Sequence, residues 1–387
     1  MKNSNKYICI TFLIILYAVL LFYPINYILV LKGVIKINDP QTNMISNKSG
    51  ISAKLENIRN IMETKTINYF PLYNRINYFD SSLYIKVNSF IYNLLNKAFL
   101  PIGTNYDNEY IYKNIEQNYY ILKTPYNTVE LNKRINQQIA FYNYLSKSDV
   151  DLFIYLPNRY EFNNKTYLDV EDMEKYIMYF KKGIDSKIKL SELNQEAGYH
   201  NYFYKTDHHW NGYGALKGYE DITKMMGMEP NNYDVQKMPN TTFKGSMAKS
   251  AADMNLKDEF YYIDAKISCE TSIKDGYKPM KKINGKGIFY DYYVGYYYGM
   301  YEAVKYNCNN PKKDNVLILG DSYVWAIDYL IAKHFNNTYI VNLRFADQFD
   351  YQDFIAKNNI KKVIVVNETQ TTLFDSYNYE PAKKVGV

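Results

Sequence analysis

Val316-Leu317-Ile318-Leu319-Gly320-Asp321-Ser322-Tyr323 is an apolar run that stops at a glycine, an acid and a hydroxyl. Four branched apolar residues bounded by turn formers read as a short strand buried on both faces. Val324 to Phe335, immediately after it, reads as a helix, and Tyr339 to Leu343 as the next strand. Asp347 to Lys357 supplies another helix before Lys361 to Val366 gives a third strand. The same grammar occurs upstream. A helix over 132–146 precedes Val150-Asp151-Leu152-Phe153-Ile154-Tyr155-Leu156, which ends at Pro157-Asn158; Val170 to Ile184 is helical again. Short β-branched runs alternating with helices predict an α/β fold with a mostly parallel sheet covered on both faces. The carboxyl ends of its strands are the natural place for a site.

A chain of 387 residues, 47% of them hydrophobic, has mass for one large domain or two ordinary ones. That composition excludes a wholly disordered chain, a collagen-like repeat and a small disulfide scaffold. Lys and Arg number 46 against 40 Asp and Glu, a formal charge of only +6. With no dense basic stripe, nucleic acid is not an expected partner. The bias lies in 45 Tyr against two Trp, which codon preference explains as readily as sugar binding. Any functional meaning must therefore come from local spacing.

Ile8 to Leu31 is nearly continuous apolar sequence without a charge, interrupted mainly by Pro24 and Asn26. Twenty-four residues at a rise of ~1.5 Å are long enough to cross a ~30 Å hydrocarbon core. The run exceeds a usual signal-peptide core, and no convincing cleavage site follows, so an uncleaved single-pass anchor is expected. The polar remainder is then expected outside the cell membrane. The domain order becomes a flank over 1–7, an anchor over 8–31, a connector over 32–80 and a globular domain over 81–387. Within that domain, an aromatic-rich insertion around 255–310 departs from α/β spacing. Phe260-Tyr261-Tyr262 and Phe289-Tyr290-Asp291-Tyr292-Tyr293 suit exposed edge strands or an aromatic loop, with packed tyrosines or a sugar-facing surface as alternatives. Cys269 and Cys308 form a possible disulfide around this excursion, and two free buried thiols are the alternative.

Chemistry concentrates in two places. Thr206-Asp207-His208-His209-Trp210-Asn211-Gly212 contains two of the chain's four histidines, and His200 lies nearby. Gly320-Asp321-Ser322 follows the strand from which the fold was read. A serine at a strand-to-helix turn can expose Oγ, His can take its proton, and Asp can fix the imidazole tautomer. The pattern points to Ser322 as nucleophile, His209 as base and then acid, and Asp207 as orienting carboxylate. Each residue also has a plainer reading: Gly-Asp-Ser as an ordinary turn, Asp207 as a helix cap, Trp210 as a packed wall.

These two motifs resemble the DHHW family, whose name is the run Asp207-His208-His209-Trp210. They also resemble the wider SGNH-like group that includes alginate O-acetylation proteins, whose threonine-Asp-x-His-Trp and Gly-x-Ser segments match Thr206, Asp207, His209, Trp210, Gly320 and Ser322. The resemblance, from about residue 100 to the end, implies an SGNH-hydrolase-like three-layer fold with those three residues as the triad. The Gly-x-Asn-Asp oxyanion segment common in SGNH enzymes is absent. Candidate oxyanion or substrate residues are the N–H groups of Ser322 and Tyr323, then Arg344, Asn367 and Glu368 beyond later strands.

The resemblance implies a membrane-anchored, extracytoplasmic O-acetyltransferase that modifies a cell-envelope polysaccharide or exopolysaccharide through an acetyl-serine intermediate. A multipass membrane-bound O-acyltransferase is the implied partner, and no cofactor is implied. An acetylesterase with the same triad is the alternative, because only the attacking hydroxyl differs. A polysaccharide-binding scaffold would leave the triad idle. A zinc site built from Asp207 and His209 with His200 and Asp321 would leave Ser322 without a role.

Overall fold

The computed structural model describes residues 128–157, 170–193, 199–250, 256–266, 268–274, 291–297, 303–343 and 349–369, with three earlier strand segments. All lie within one compact unit, Tyr78–Val387. The anchor segment 8–31, the connector 32–80 and Arg344 fall outside the described residues. Among those described, no helix is long and apolar enough to cross a membrane.

In chain order, β1 (Gly103–Thr104), β2 (Tyr110–Asn114) and β3 (Tyr119–Lys123) make a small antiparallel sheet. Next come α1 (Thr128–Leu145), β4 (Asp151–Leu156), α2 (Val170–Gly183) and β5 (Lys189–Glu192). The middle of the chain holds α3 (Tyr199–Tyr202), α4 (Gly212–Met225), β6 (Val235–Lys237), α5 (Ser246–Ser250) and β7 (Tyr261–Ile263). After these come β8 (Glu270–Lys274), α6 (Tyr292–Tyr297), β9 (Ala303–Asn307) and β10 (Asn315–Gly320). The last elements are α7 (Asp328–Ala332), β11 (Asn337–Asn342), α8 (Tyr351–Lys357) and β12 (Ile360–Val366).

The central sheet has seven strands in the order β5-β4-β12-β10-β11-β9-β8. The first five are mutually parallel, while β9 runs antiparallel to both of its neighbours. Alternation along each inner strand feeds two separate cores. Val316 and Ile318 of β10, Phe153 and Tyr155 of β4, and Ile364 of β12 pack with α4, α6 and α7 on one face. Leu317 and Leu319, Leu152 and Ile154, and Val363 and Val365 pack with α1, α2 and α8 on the other. Both faces are therefore apolar, which is why these strands read as unbroken hydrophobic runs. The chain leaves β10 toward the α7 face and leaves β11 toward the α8 face. Connections that diverge in this way open a crevice at the strands' carboxyl ends, where Ser322 follows β10.

Three sequence readings need correction. Val324 to Phe335 is not one helix: a 3-10 turn over Val324–Ala326 precedes α7, and Ile327 between them has φ of −124°. The N–H groups of Val324 and Trp325 bond to the carbonyls of Asp321 and Ser322, so the chain leaves the serine in tight three-residue turns. Because Val324 to Ala332 is buried on every side, no polar stripe marks the break. The tyrosines after Asp291 form neither strand nor loop but α6, with Tyr293, Tyr296 and Tyr297 buried. Their i, i+3, i+4 spacing is a helical stripe, hidden by a polar-looking residue type. Finally, β8 and β9 extend the main sheet from within the insertion, whereas Tyr261–Ile263 is an edge strand paired with β6, in line with expectation. Cys269 and Cys308, which flank the facing pair Glu270 and Asn307, are joined by a disulfide.

Candidate active site

Ser322 is placed by the end of β10 and by the carboxylate next to it. Asp321 accepts the N–H of Tyr323 at 2.9 Å and the N–H of Glu368 at 3.0 Å. The nucleophile turn is thereby tied to the exit of β12. Gly320 is required by that closeness: a Cβ there would sit 2.3 Å from the carbonyl oxygen of Val366. The serine is only 4% exposed, and its Oγ lies 2.8 Å from His209 Nε2.

His209 arrives on a loop that closes on itself. Phe203 and Trp210 form a bridge, the Tyr204 N–H donates to the His209 carbonyl, and the Asn211 N–H donates to the Tyr202 carbonyl. Asn211, not Asp207, caps α4 by accepting the N–H groups of Tyr213 and Gly214. That frees Asp207 for the histidine. Thr206 anchors the loop's other end: its N–H and hydroxyl both donate to Asp258, and its Oγ accepts the Gly245 N–H. Trp210 is fully buried against Tyr323 and α4, where a Cβ at Gly218 would meet the indole at 2.5 Å.

Asp207 Oδ1 lies 2.5 Å from His209 Nδ1 and also accepts the His209 N–H, while Oδ2 accepts the Ser246 N–H at 2.7 Å. Burial alone would raise the pKa of this carboxyl. The adjacent imidazoles of His209 and His208, with the hydrogen bonds from His209 and Ser246, overcome burial and hold it well below the ordinary carboxylate range. An ionised Asp207 must accept, so Nδ1 carries the proton and Nε2 is left basic toward the serine hydroxyl. Tyr293 stacks on His209 with ring centroids 3.9 Å apart and planes within 13°, and donates its hydroxyl to the Ser322 carbonyl at 3.1 Å. His208 also lies against His209, and its Nδ1 is 2.8 Å from Ser246 Oγ.

The remaining candidates fare differently. The Tyr323 N–H is committed to Asp321, so it is not poised for an oxyanion; its side chain instead donates to the His208 carbonyl and lines the loop. Asn367 and Glu368 follow β12 beside the nucleophile turn, Asn367 fully buried and Glu368 as little exposed as Ser322 itself. Strand β12 pairs with β10 up to Val366, with a register shift between Asn315 and Val316, and its exit brings the Glu368 N–H to Asp321. Among the described residues, Asp207, His208 and His209 are close enough to hold a metal ion, but Asp321 is not in that cluster. Both oxygens of Asp207 and both ring nitrogens of His209 already face protein partners, which leaves poor donors for zinc. Sequence reading missed Tyr293, Asp258 and the Gly245-Ser246 turn. Only Tyr293 carried a usable cue, its place in a helical stripe.

No family model and no curated protein matches the chain. Solved structures do. A DHHW family protein from Eubacterium siraeum superposes with a TM-score of 0.57 at 18% identity, covering 73% of this chain and 97% of its own. The chain has the fold of a DHHW family protein. The chain is also similar in fold to PatB1 from Bacillus cereus in two structures. One, carrying a sulfonyl adduct, has a TM-score of 0.58 at 21% identity over 70% of this chain and 98% of PatB1. The other has a TM-score of 0.57 at 20% identity over 70% and 100%. At these identities the likeness is one of fold, so the chemistry rests on the site itself.

Proposed function

We propose that this chain is a serine-dependent acyl-transfer enzyme of the SGNH-like group. In that reading it is a membrane-anchored O-acetyltransferase acting on a cell-envelope polysaccharide or exopolysaccharide outside the cytoplasm. The observation that carries it is the unbroken hydrogen-bonded relay Asp207–His209–Ser322, with 2.5 Å and 2.8 Å links. Helices on both faces of a mostly parallel sheet fit the SGNH-like three-layer arrangement. One structure of PatB1 carries a sulfonyl adduct, and Ser322 is the nucleophile of this chain that would take one.

In the first half-reaction Ser322 Oγ attacks the carbonyl carbon of an acetyl ester as His209 Nε2 takes the hydroxyl proton. Asp207 stabilises the imidazolium, and the Ser322 N–H is the first donor for the oxyanion. Collapse expels the donor alcohol, protonated by His209, and leaves acetyl-Ser322. A sugar hydroxyl then loses its proton to His209, attacks the acetyl carbonyl, and regenerates the serine. Water in that role would give acetylesterase activity. Ser322 and His209 are 4% and 3% exposed, and transfer requires that the acceptor hydroxyl reach the acyl-serine ahead of water. A multipass membrane-bound O-acyltransferase is the proposed source of acyl groups, because acetyl-CoA is not available on the outer face.

The test uses purified protein with p-nitrophenyl acetate as donor and an unacetylated polysaccharide as acceptor. Ser322→Ala should lower acetyl turnover by roughly 10³-fold or more while the melting temperature stays close to wild type. Mass spectrometry should find the acetyl group on Ser322 of the wild type. Equal turnover in both proteins would reject serine catalysis. Polymer binding without turnover in either would leave a scaffold, and loss of activity on chelation would support the metal reading.

A further inference from the structure

The tyrosine-rich segment around 290–298 is not absorbed by the triad chemistry, yet one of its rings touches the base. We propose that Tyr293 is a positioning residue for the acyl-transfer site, holding the His209 imidazole with its ring and the Ser322 backbone with its hydroxyl. The inference rests on the acyl-transfer reading above and assigns its insertion a part in it.

The geometry is specific. Planes 13° apart at 3.9 Å set the π-face of the phenol against the imidazole, leaving both ring nitrogens free for Asp207 and Ser322. When the serine proton moves to Nε2 the imidazole becomes a cation, and an aromatic face is attractive to a cation. The contact therefore strengthens as the transition state is approached, which is what a rate-enhancing contact must do. The hydroxyl of the same side chain donates to the Ser322 carbonyl at 3.1 Å, so base and nucleophile are referenced to one rigid ring. The ring itself is fixed. Tyr293 is 1% exposed, Tyr297 packs against it at 5.0 Å, and Asp291 caps the start of α6 through the Val294 N–H. A tyrosine buried only for packing would not need to lie parallel to the catalytic imidazole.

Two pairs of variants separate the ring from the bulk. Tyr293→Phe and Tyr293→Trp keep an aromatic face; Tyr293→Leu and Tyr293→Met keep apolar volume without one. With p-nitrophenyl acetate, the aliphatic pair should lose about 10-fold in kcat with KM within about twofold, and Tyr293→Phe, which keeps the ring and loses the hydroxyl bond to Ser322, should lose about 3-fold. Proton NMR supplies a readout that does not depend on turnover. Stacking should shift the His209 ring protons upfield in wild type and Tyr293→Phe, and the shift should shrink in Tyr293→Leu to what the His208 and Tyr323 rings contribute. A folded aliphatic variant with wild-type kcat, or an unchanged His209 resonance in Tyr293→Leu, would overturn the proposal. If neither aliphatic variant folds, a Tyr293→Phe protein that lacks the upfield shift would overturn it. Ser322→Ala is run beside them: wild-type turnover there defeats the acyl-enzyme reading itself, whichever way the Tyr293 series falls.

Discussion

At the scale of single residues, the site depends on atoms that are missing as much as on those present. A Cβ on Gly245 would stand 2.3 Å from Asp207 Cβ and 2.4 Å from its Oδ2, so an alanine there must push the carboxylate away from the imidazole. A displacement near 1 Å in a catalytic group costs on the order of 10²-fold in rate. Gly245→Ala should therefore lower kcat by about 10- to 100-fold. Gly227 is the contrast: its φ of +74° makes alanine strained, but nothing lies within 4 Å of a Cβ there. Gly227→Ala should lower stability by about 1 kcal/mol and leave kcat unchanged. Urea denaturation and steady-state kinetics on both variants check the pair, and equal kcat effects would defeat the argument. Of the residues legible in sequence, Asp207, His209 and Ser322 are found linked because their chemistry restricts which partners each can take. Gly245 and Asp258 were not legible, because their roles consist of where a backbone passes.

At the scale of elements, the strand exit and the capped helix do the positioning. Strand β10 ends at a glycine that admits the β12 carbonyl, and α4 starts on an asparagine that relieves Asp207 of capping. The excursion between β8 and β9 carries α6, and the Cys269–Cys308 bond closes it across 39 positions. Closing a loop of that length restricts the unfolded chain by about 4 kcal/mol. Cys308→Ser, or reduction of the wild type, should therefore lower unfolding free energy by a few kcal/mol, measured by urea denaturation as a lower midpoint with a slope that rises as the unfolded chain expands. No shift would mean that the enclosed segment holds its structure without the bond. The central strands and the α1 and α2 helices were readable from periodicity. The broken path after Ser322 was not, because side chains buried on all faces carry no amphipathic record, and the stripe of α6 was hidden because its buried residues are tyrosines.

At the scale of the whole molecule, the relay joins residues 113 positions apart, so only a closed α/β core can form it. Asp207, His209 and Ser322 all belong to the unit Tyr78–Val387. The full chain should fractionate with membranes, and removal of residues 1–31 should release a soluble protein that turns over p-nitrophenyl acetate at the full-length rate. Full-length chain in the soluble fraction would remove the anchor, and with it the argument for an outer-face acceptor.

The sequence by itself determined the α/β alternation, the strand that ends at the serine, and a set of three residues able to perform acyl transfer. Those follow from side-chain chemistry and local period, which are properties of neighbours along the chain. Only the tertiary structure decided that Asp321 braces the exit of β12, that Asp258 anchors Thr206, and that a tyrosine from the aromatic insertion lies on the base. The physical reason is common to all three: each contact forms between segments far apart in the chain, where no local propensity specifies the partner.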